Sequence, residues 1–126
     1  MKNRLVDSCG WLEYFRGGPN AGFFEPALRN LKALIVPTIC LAEVFKIIYR
    51  ERGRKTALKY IASMHEARVI ELDRAIALNA GLLSVNHKLP LADAIILATA
   101  RAHQARVLTQ DADLKQFPEV DYIRKK

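Results

Sequence analysis

Apolar and polar positions alternate along the chain in a way that divides it into short β runs and longer helical runs, one after another. Arg4 to Asp7 reads as a strand. Ser8 to Arg16 carries Trp11, Leu12 and Phe15 at helical spacing before Gly17-Gly18-Pro19 ends the helix. Ala33 to Val36 is an apolar, β-branched run bounded by Pro37, and Thr38 reads as the N-cap of an apolar helix that reaches Tyr49 and stops near Gly53. Thr56 to Ala67 is amphipathic through Leu58, Ile61, Ala62 and Met64, and Arg68 to Leu72 is strand-like. Ala75 to Val85 and Pro90 to Gln104 read as helices, with Pro90 expected at the first helical position, where a missing N–H is harmless. Arg106 to Thr109 and Val120 to Ile123 complete the pattern as strands. Parallel strands need crossover connections and helices supply them, so this alternation predicts an α/β fold: a three-layer α/β/α domain with a mainly parallel central sheet. Ligands of such sheets bind beyond the carboxyl ends of the strands, where the strand order reverses.

A chain of 126 residues has room for one domain of ordinary size, expected here to span 1–126. At 51% apolar residues it can bury enough surface to fold without covalent staples. Cys9 and Cys40 are the only cysteines and both sit among apolar neighbours, while Asp7 and Glu13 interrupt any secretory-type apolar run, so a reduced, cytoplasmic protein is expected. No apolar stretch approaches the roughly 18 residues of a membrane span. Twenty Lys and Arg against thirteen Asp and Glu give a net charge of +7, which favours polyanionic partners such as nucleic acid.

Four acidic residues stand apart from the rest. Asp7 and Asp111 each follow a strand, Leu5-Val6 and Val107-Leu108-Thr109, at the sheet edge that carries the crevice. Each also suits a local role, as an N-cap or Asx-turn for the segment that follows. Glu43 lies five residues past Thr38 in an otherwise apolar helix, too deep for a capping box, although it shares a stripe with Lys46 and Arg50 that would suit a solvated face. Asp93 heads the stripe formed by Ile96, Leu97 and Ala100, the face that ought to be buried; its local alternative is a first-turn dipole role. Brought to one crevice, these carboxylates repel by roughly 4 kcal/mol per pair about 4 Å apart at an effective dielectric near 20. They call for a cation, and an all-oxygen set selects Mg²⁺ or Mn²⁺ rather than zinc. His65, His87 and His103 show no metal-ligand spacing with either cysteine.

At these residues the sequence resembles PIN-domain ribonucleases, and among them VapC-like toxins of prokaryotic toxin–antitoxin pairs. The segments that carry the likeness are Leu5-Val6-Asp7-Ser8, Ile39-Cys40-Leu41-Ala42-Glu43-Val44, Leu89-Pro90-Leu91-Ala92-Asp93-Ala94-Ile95-Ile96 and Val107-Leu108-Thr109-Gln110-Asp111-Ala112-Asp113. The resemblance implies parallel strands flanked by helices, a Mg²⁺-dependent endoribonuclease, and an acidic site of Asp7, Glu43, Asp93 and Asp111. It places Ser8 and Thr109 at hydroxyl positions that support the acids. Asp113 is an alternative to Asp111 as fourth acid, and Leu114 stands where relatives often have Phe. A cognate antitoxin and a homodimer are implied in the same way.

On this reading Asp7, Asp93 and Asp111 hold the metal, Glu43 positions or deprotonates a water, and RNA is the substrate. Setting the four acids aside leaves twenty basic against nine acidic residues, a source of long-range phosphate attraction. Lys46, Arg50 and Arg54, with Arg52 and Lys55, are candidates for contacting the RNA backbone; Arg101, His103 and Arg106 form a second set. Trp11, Phe23, Phe24 and Phe45 read as core or interface residues. Two other functions fit the pattern less well. One is a non-catalytic RNA-binding or assembly module on the same fold. The other is phosphoryl transfer through an aspartyl-phosphate, for which a second Asp is missing because Cys9 occupies its place.

Overall fold

The structure, a computed structural model, describes residues 2–126. The elements follow in the order β1 (Asn3–Val6), α1 (Ser8–Arg16), α2 (Ala21–Arg29), β2 (Leu34–Pro37), α3 (Thr38–Arg52), α4 (Arg54–Met64), β3 (Arg68–Ile70), α5 (Arg74–His87), α6 (Leu91–Ala102), β4 (Ala105–Thr109) and β5 (Val120–Tyr122), with single 3₁₀ turns at Leu31–Ala33 and Ala112–Leu114. All five strands are parallel, in the order β3-β2-β1-β4-β5. The chain therefore moves outward from β1 to β3, then returns to lay β4 against the other side of β1. Crossovers of the usual right hand that run in opposite directions along the sheet place helices on both of its faces. The reversal falls between β1 and β4, whose register pairs Leu5 with Val107 and Val6 with Leu108.

The central strands are apolar because both of their faces are covered. Leu5, Val6, Leu34, Ile35, Val36 and Val107 are all at most 1% exposed. Trp11 and Phe24 belong to this core, while Phe23 and Phe45 pack against it from partly buried positions. Gly10 is required by the approach of α1 to the sheet: a Cβ there would lie 2.6 Å from Val6 Cγ1 and 2.7 Å from the Phe24 ring. Gly17, at φ 64°, closes α1 in the left-handed conformation, its N–H donating to the carbonyls of Glu13 and Tyr14.

The structure corrects several local expectations. Thr38 is the first helical residue of α3 rather than its cap; the cap position belongs to Pro37 and no side chain bonds there. Pro90 is likewise the cap of α6 and not its first residue. Helix α6 ends at Ala102, and Gln104 turns the chain at φ 46°. The segment after Asp111 makes a single 3₁₀ turn, Ala112–Leu114, capped by the Asp111 side chain. Helix α2 has no clear sequence signal, since Gly22 and Pro26 read as breakers; it forms because Phe24, Ala27 and Leu28 bury one face. Among the described residues no helix is long and apolar enough to cross a membrane.

Candidate active site

Each functional side chain is brought to the carboxyl edge of the sheet by a different element. Asp7 is the residue after β1 and caps α1 in extended conformation, φ −63° and ψ 158°. Asp111 follows β4 by two residues. Asp93 lies in the first turn of α6, which leads into β4 and so begins over the same edge. Glu43 lies in the second turn of α3, the helix that leaves β2 at that edge. Asp7 and Asp111 thus flank the β1/β4 switch point.

One carboxylate oxygen from each of Asp7, Asp93 and Asp111 lies within 4.8 Å of the others. A second trio on the same criterion is Asp7, Cys40 and Glu43, so Asp7 is shared by the two groups. Asp7 is only 4% exposed. Its Oδ1 accepts the N–H of Ser8 at 2.7 Å, and its Oδ2 accepts the hydroxyl of Thr109 at 2.8 Å. The Ser8 hydroxyl donates to Glu43 Oε1 at 2.5 Å. Thr109, fully buried, also accepts the N–H of Asp111 at 2.9 Å, which ties the two strand ends together through one hydroxyl. Asp7 therefore serves as helix cap and cluster member at once, and the two readings of that residue do not compete.

The acids are held at electrostatic disadvantage. Burial pushes the Asp7 carboxyl up to about 6 against the lowering effect of the Thr109 and Ser8 hydrogen bonds, with Glu43 and Asp111 adding to the rise. Asp93, partly buried, is pushed up to about 7, first by desolvation and then by the charges of Asp111 and Asp7. Such an arrangement is costly when fully ionised and becomes favourable when a divalent cation lies among the carboxylates.

The donors fit a hard cation. Burial holds the Cys40 thiol well above its ordinary range, and the Cys9 thiol, 3.6 Å from Asp7 Oδ2, is pushed up to about 12. Both stay protonated, which leaves oxygen as the only charged donor type at the cluster.

The remaining candidates fall in different places. Asp113 is exposed, and its backbone N–H donates to Asp111 Oδ1 at 2.9 Å, so it supports the turn that orients Asp111. Lys46 and Arg50 are exposed on α3 but lie progressively away from the edge, Arg50 about 10 Å along the axis from Glu43 at 1.5 Å per residue. Arg54 starts the next helix, beyond that end. The second basic set is displaced altogether. Arg106 belongs to β4 and His103 precedes it, at the opposite edge of the sheet, and the cations there are paired: Arg101 with Glu119 at 3.0 Å and Arg106 with Asp121 at 2.8 Å. Cys40 at the heart of the site carries no motif signal; its position one turn before Glu43 on the buried face of α3 is the available hint.

A parallel sheet with carboxylates from separate elements converging at its switch point defines a class of small α/β domains with an acidic site at the sheet edge. The chain belongs to the PIN domain family, whose profile matches residues 4–120. No curated protein matches its sequence significantly. Among solved structures it is similar to a toxin–antitoxin complex from Klebsiella pneumoniae, with 23% identity, a TM-score of 0.81, and coverage of 94% of this chain and 96% of that one. It is also similar to DNA-bound VapBC from Salmonella typhimurium, with 14% identity, a TM-score of 0.76 and 98% of both chains covered. A third is VapC20 of Mycobacterium tuberculosis, a toxin that cleaves the Sarcin-Ricin loop, with 17% identity, a TM-score of 0.71, and 90% and 92% coverage.

Proposed function

We propose that this chain is a Mg²⁺-dependent endoribonuclease, formed as one domain over 1–126, and the toxin of a toxin–antitoxin pair. The observation that carries the reading is the meeting within 4.8 Å of Asp7 with Asp93 and Asp111, which follow it 86 and 104 residues later in the chain. Membership of the PIN domain family and the likeness to toxin–antitoxin structures support it. A cognate antitoxin covering the acidic pocket, a homodimer and a cytoplasmic setting belong to the same proposal.

Asp7, Asp93 and Asp111 would hold Mg²⁺, with Mn²⁺ as a substitute. The chemistry supplied there by a bound ion is neutralisation of the non-bridging phosphate oxygens, acidification of water and stabilisation of the leaving 3′ oxygen. Glu43, oriented by the Ser8 hydroxyl, removes a proton from the water that attacks phosphorus. The phosphorus–O3′ bond breaks, leaving a 5′-phosphate on one fragment and a 3′-hydroxyl, protonated from solvent, on the other. Thr109 keeps Asp7 in place, and Asp113 acts through the turn at Asp111. Lys46, Arg50 and Arg54 would contact the RNA backbone only in a substrate long enough to run down α3.

The test is incubation with single-stranded RNA in Mg²⁺ or in excess EDTA, for the wild-type chain, Asp7→Asn and Asp93→Asn. Cleavage in Mg²⁺ alone, lost in both variants, is the expected result. Cleavage that survives EDTA overturns the mechanism, and RNA binding without cleavage points to the non-catalytic module.

A further inference from the structure

Beside Asp111 lies a groove of about 530 Å³ whose lining includes Cys9, Gln110, Asp111, Tyr122, Arg124 and Lys125. Its outer wall is the segment that follows β5. That wall is pinned to the strand carrying the acid: Ile123 N–H donates to the Thr109 carbonyl at 3.0 Å, and the side-chain amide of Asn20 donates both to the Arg124 carbonyl at 3.0 Å and to Gln110 Oε1 at 2.9 Å. Asn20 is 2% exposed, so this clamp is internal. Two cations are thereby held opposite a carboxylate with a groove between them. Among the described residues neither Arg124 nor Lys125 has a carboxylate at ion-pair distance, whereas Arg16, Arg29, Arg101 and Arg106 each have one. Lys115 covers Tyr122 with its ammonium 5.8 Å from the ring centroid, and the tyrosine side chain also borders the groove.

A polyanion fits two exposed cations set across a groove from an acidic residue whose charge a divalent ion would offset. A single strand of nucleic acid gains in addition from an aromatic side chain beside a base, and Tyr122 is the aromatic residue of the groove lining. The volume is in the range that encloses one nucleotide-sized group. Resting on the ribonuclease reading, we infer that this groove holds the nucleotide next to the scissile phosphate of a single-stranded RNA, with Arg124 and Lys125 on its phosphates and Tyr122 beside its base. Arg124, Lys125 and Tyr122 are positioning residues; they do not touch the reacting phosphorus.

The experiment is steady-state cleavage of a fluorescent oligoribonucleotide by the full chain and by Arg124→Ala/Lys125→Ala, with Lys32→Ala/Lys59→Ala as a charge-matched control. Each phosphate contact on a single strand releases about 0.7 counterion, a factor of roughly 4 at 0.15 M salt, so losing two raises KM about 15-fold and flattens the log KM against log salt slope by about 1.4. The value of kcat, the Mg²⁺ dependence and the Tm stay near wild type, and Arg124→Lys/Lys125→Arg restores most of the KM. Tyr122→Leu raises KM by about 5- to 100-fold with little change in salt slope, as lost stacking does. A KM and salt slope that match the control overturn the inference, as does an equal effect of the control pair. RNA binding by Asp93→Asn, with and without the Arg124/Lys125 changes, separates the two claims. If wild type fails to cleave, the ribonuclease reading falls, and the binding titration still supports or overturns the groove.

Discussion

Replacing Asp7 by Asn is expected to inactivate the protein and at the same time to stabilise it when no metal is present. Asp7 is nine-tenths or more buried, and its folded-state pKa lies near 6 against an ordinary value of 3.8. The native state therefore keeps a proton that the unfolded chain has already released between about pH 4 and 6. Stability linked to this group is fully present below pH 4 and is lost as pH rises through 6. The gap between 3.8 and about 6 corresponds to about 3 kcal/mol at pH 8. Asn retains the acceptor for the Ser8 N–H but turns an amide toward the Thr109 hydroxyl, an imperfect exchange that takes back about 1 kcal/mol. The net gain is about 2 kcal/mol, or about 6–10 °C in Tm for a domain of this size. Thermal unfolding followed by circular dichroism in EDTA at pH 8, 5 and 4 checks it. The gain should fall below about 1 kcal/mol at pH 5 and vanish near pH 4, following the linkage. Adding Mg²⁺ should reverse the order, raising the wild-type Tm and leaving the variant unchanged. A variant less stable than wild type at pH 8 in EDTA, or a gain that ignores pH, would refute the account of a strained carboxylate cluster.

Three further outcomes are expected. Mg²⁺ affinity, measured by calorimetry, should weaken as pH falls below about 7, because protons on Asp93 and then on Asp7 compete with the ion, and binding at neutral pH should release protons into the buffer. Glu43→Gln should lower kcat by about 10²- to 10⁴-fold while Mg²⁺ binding through the other acids persists, and Ser8→Ala, which frees Glu43 without removing it, should have a smaller effect in the same cleavage assay. Gly10→Ala should destabilise by about 1–3 kcal/mol, since Val6 and Phe24 must yield to the new methyl; chemical denaturation reads this directly.

Much of the fold can be read along the chain because its strands are short apolar runs and its helices carry a periodic face. Leu34 to Val36 and Val107 to Leu108 are buried strands on both readings, and their parallel pairing follows from the helices between them. Helix α2 is not legible: Gly22 and Pro26 argue locally against a helix, and the burial of Phe24 outweighs them only once β1 and α1 are in place. The end of α6 and the turn at Ala112–Leu114 escape the local pattern for the same kind of reason, since caps depend on which backbone groups find partners.

The four acids can be picked out one by one, from strand ends and from polar positions on apolar helix faces, because each breaks a pattern set by its neighbours. Residue spacing carries no information on which of them touch. That Asp7, Asp93 and Asp111 share one point while Asp113 faces solvent, that Arg106 is paired at the far edge, and that Arg124 and Lys125 stand across a groove from Asp111, are settled by the strand order and by the return of β4 to the side of β1. Local preference is a property of a few consecutive residues and is written in them. The convergence of charges is a property of how distant segments pack, and only burial of the whole core against water decides it.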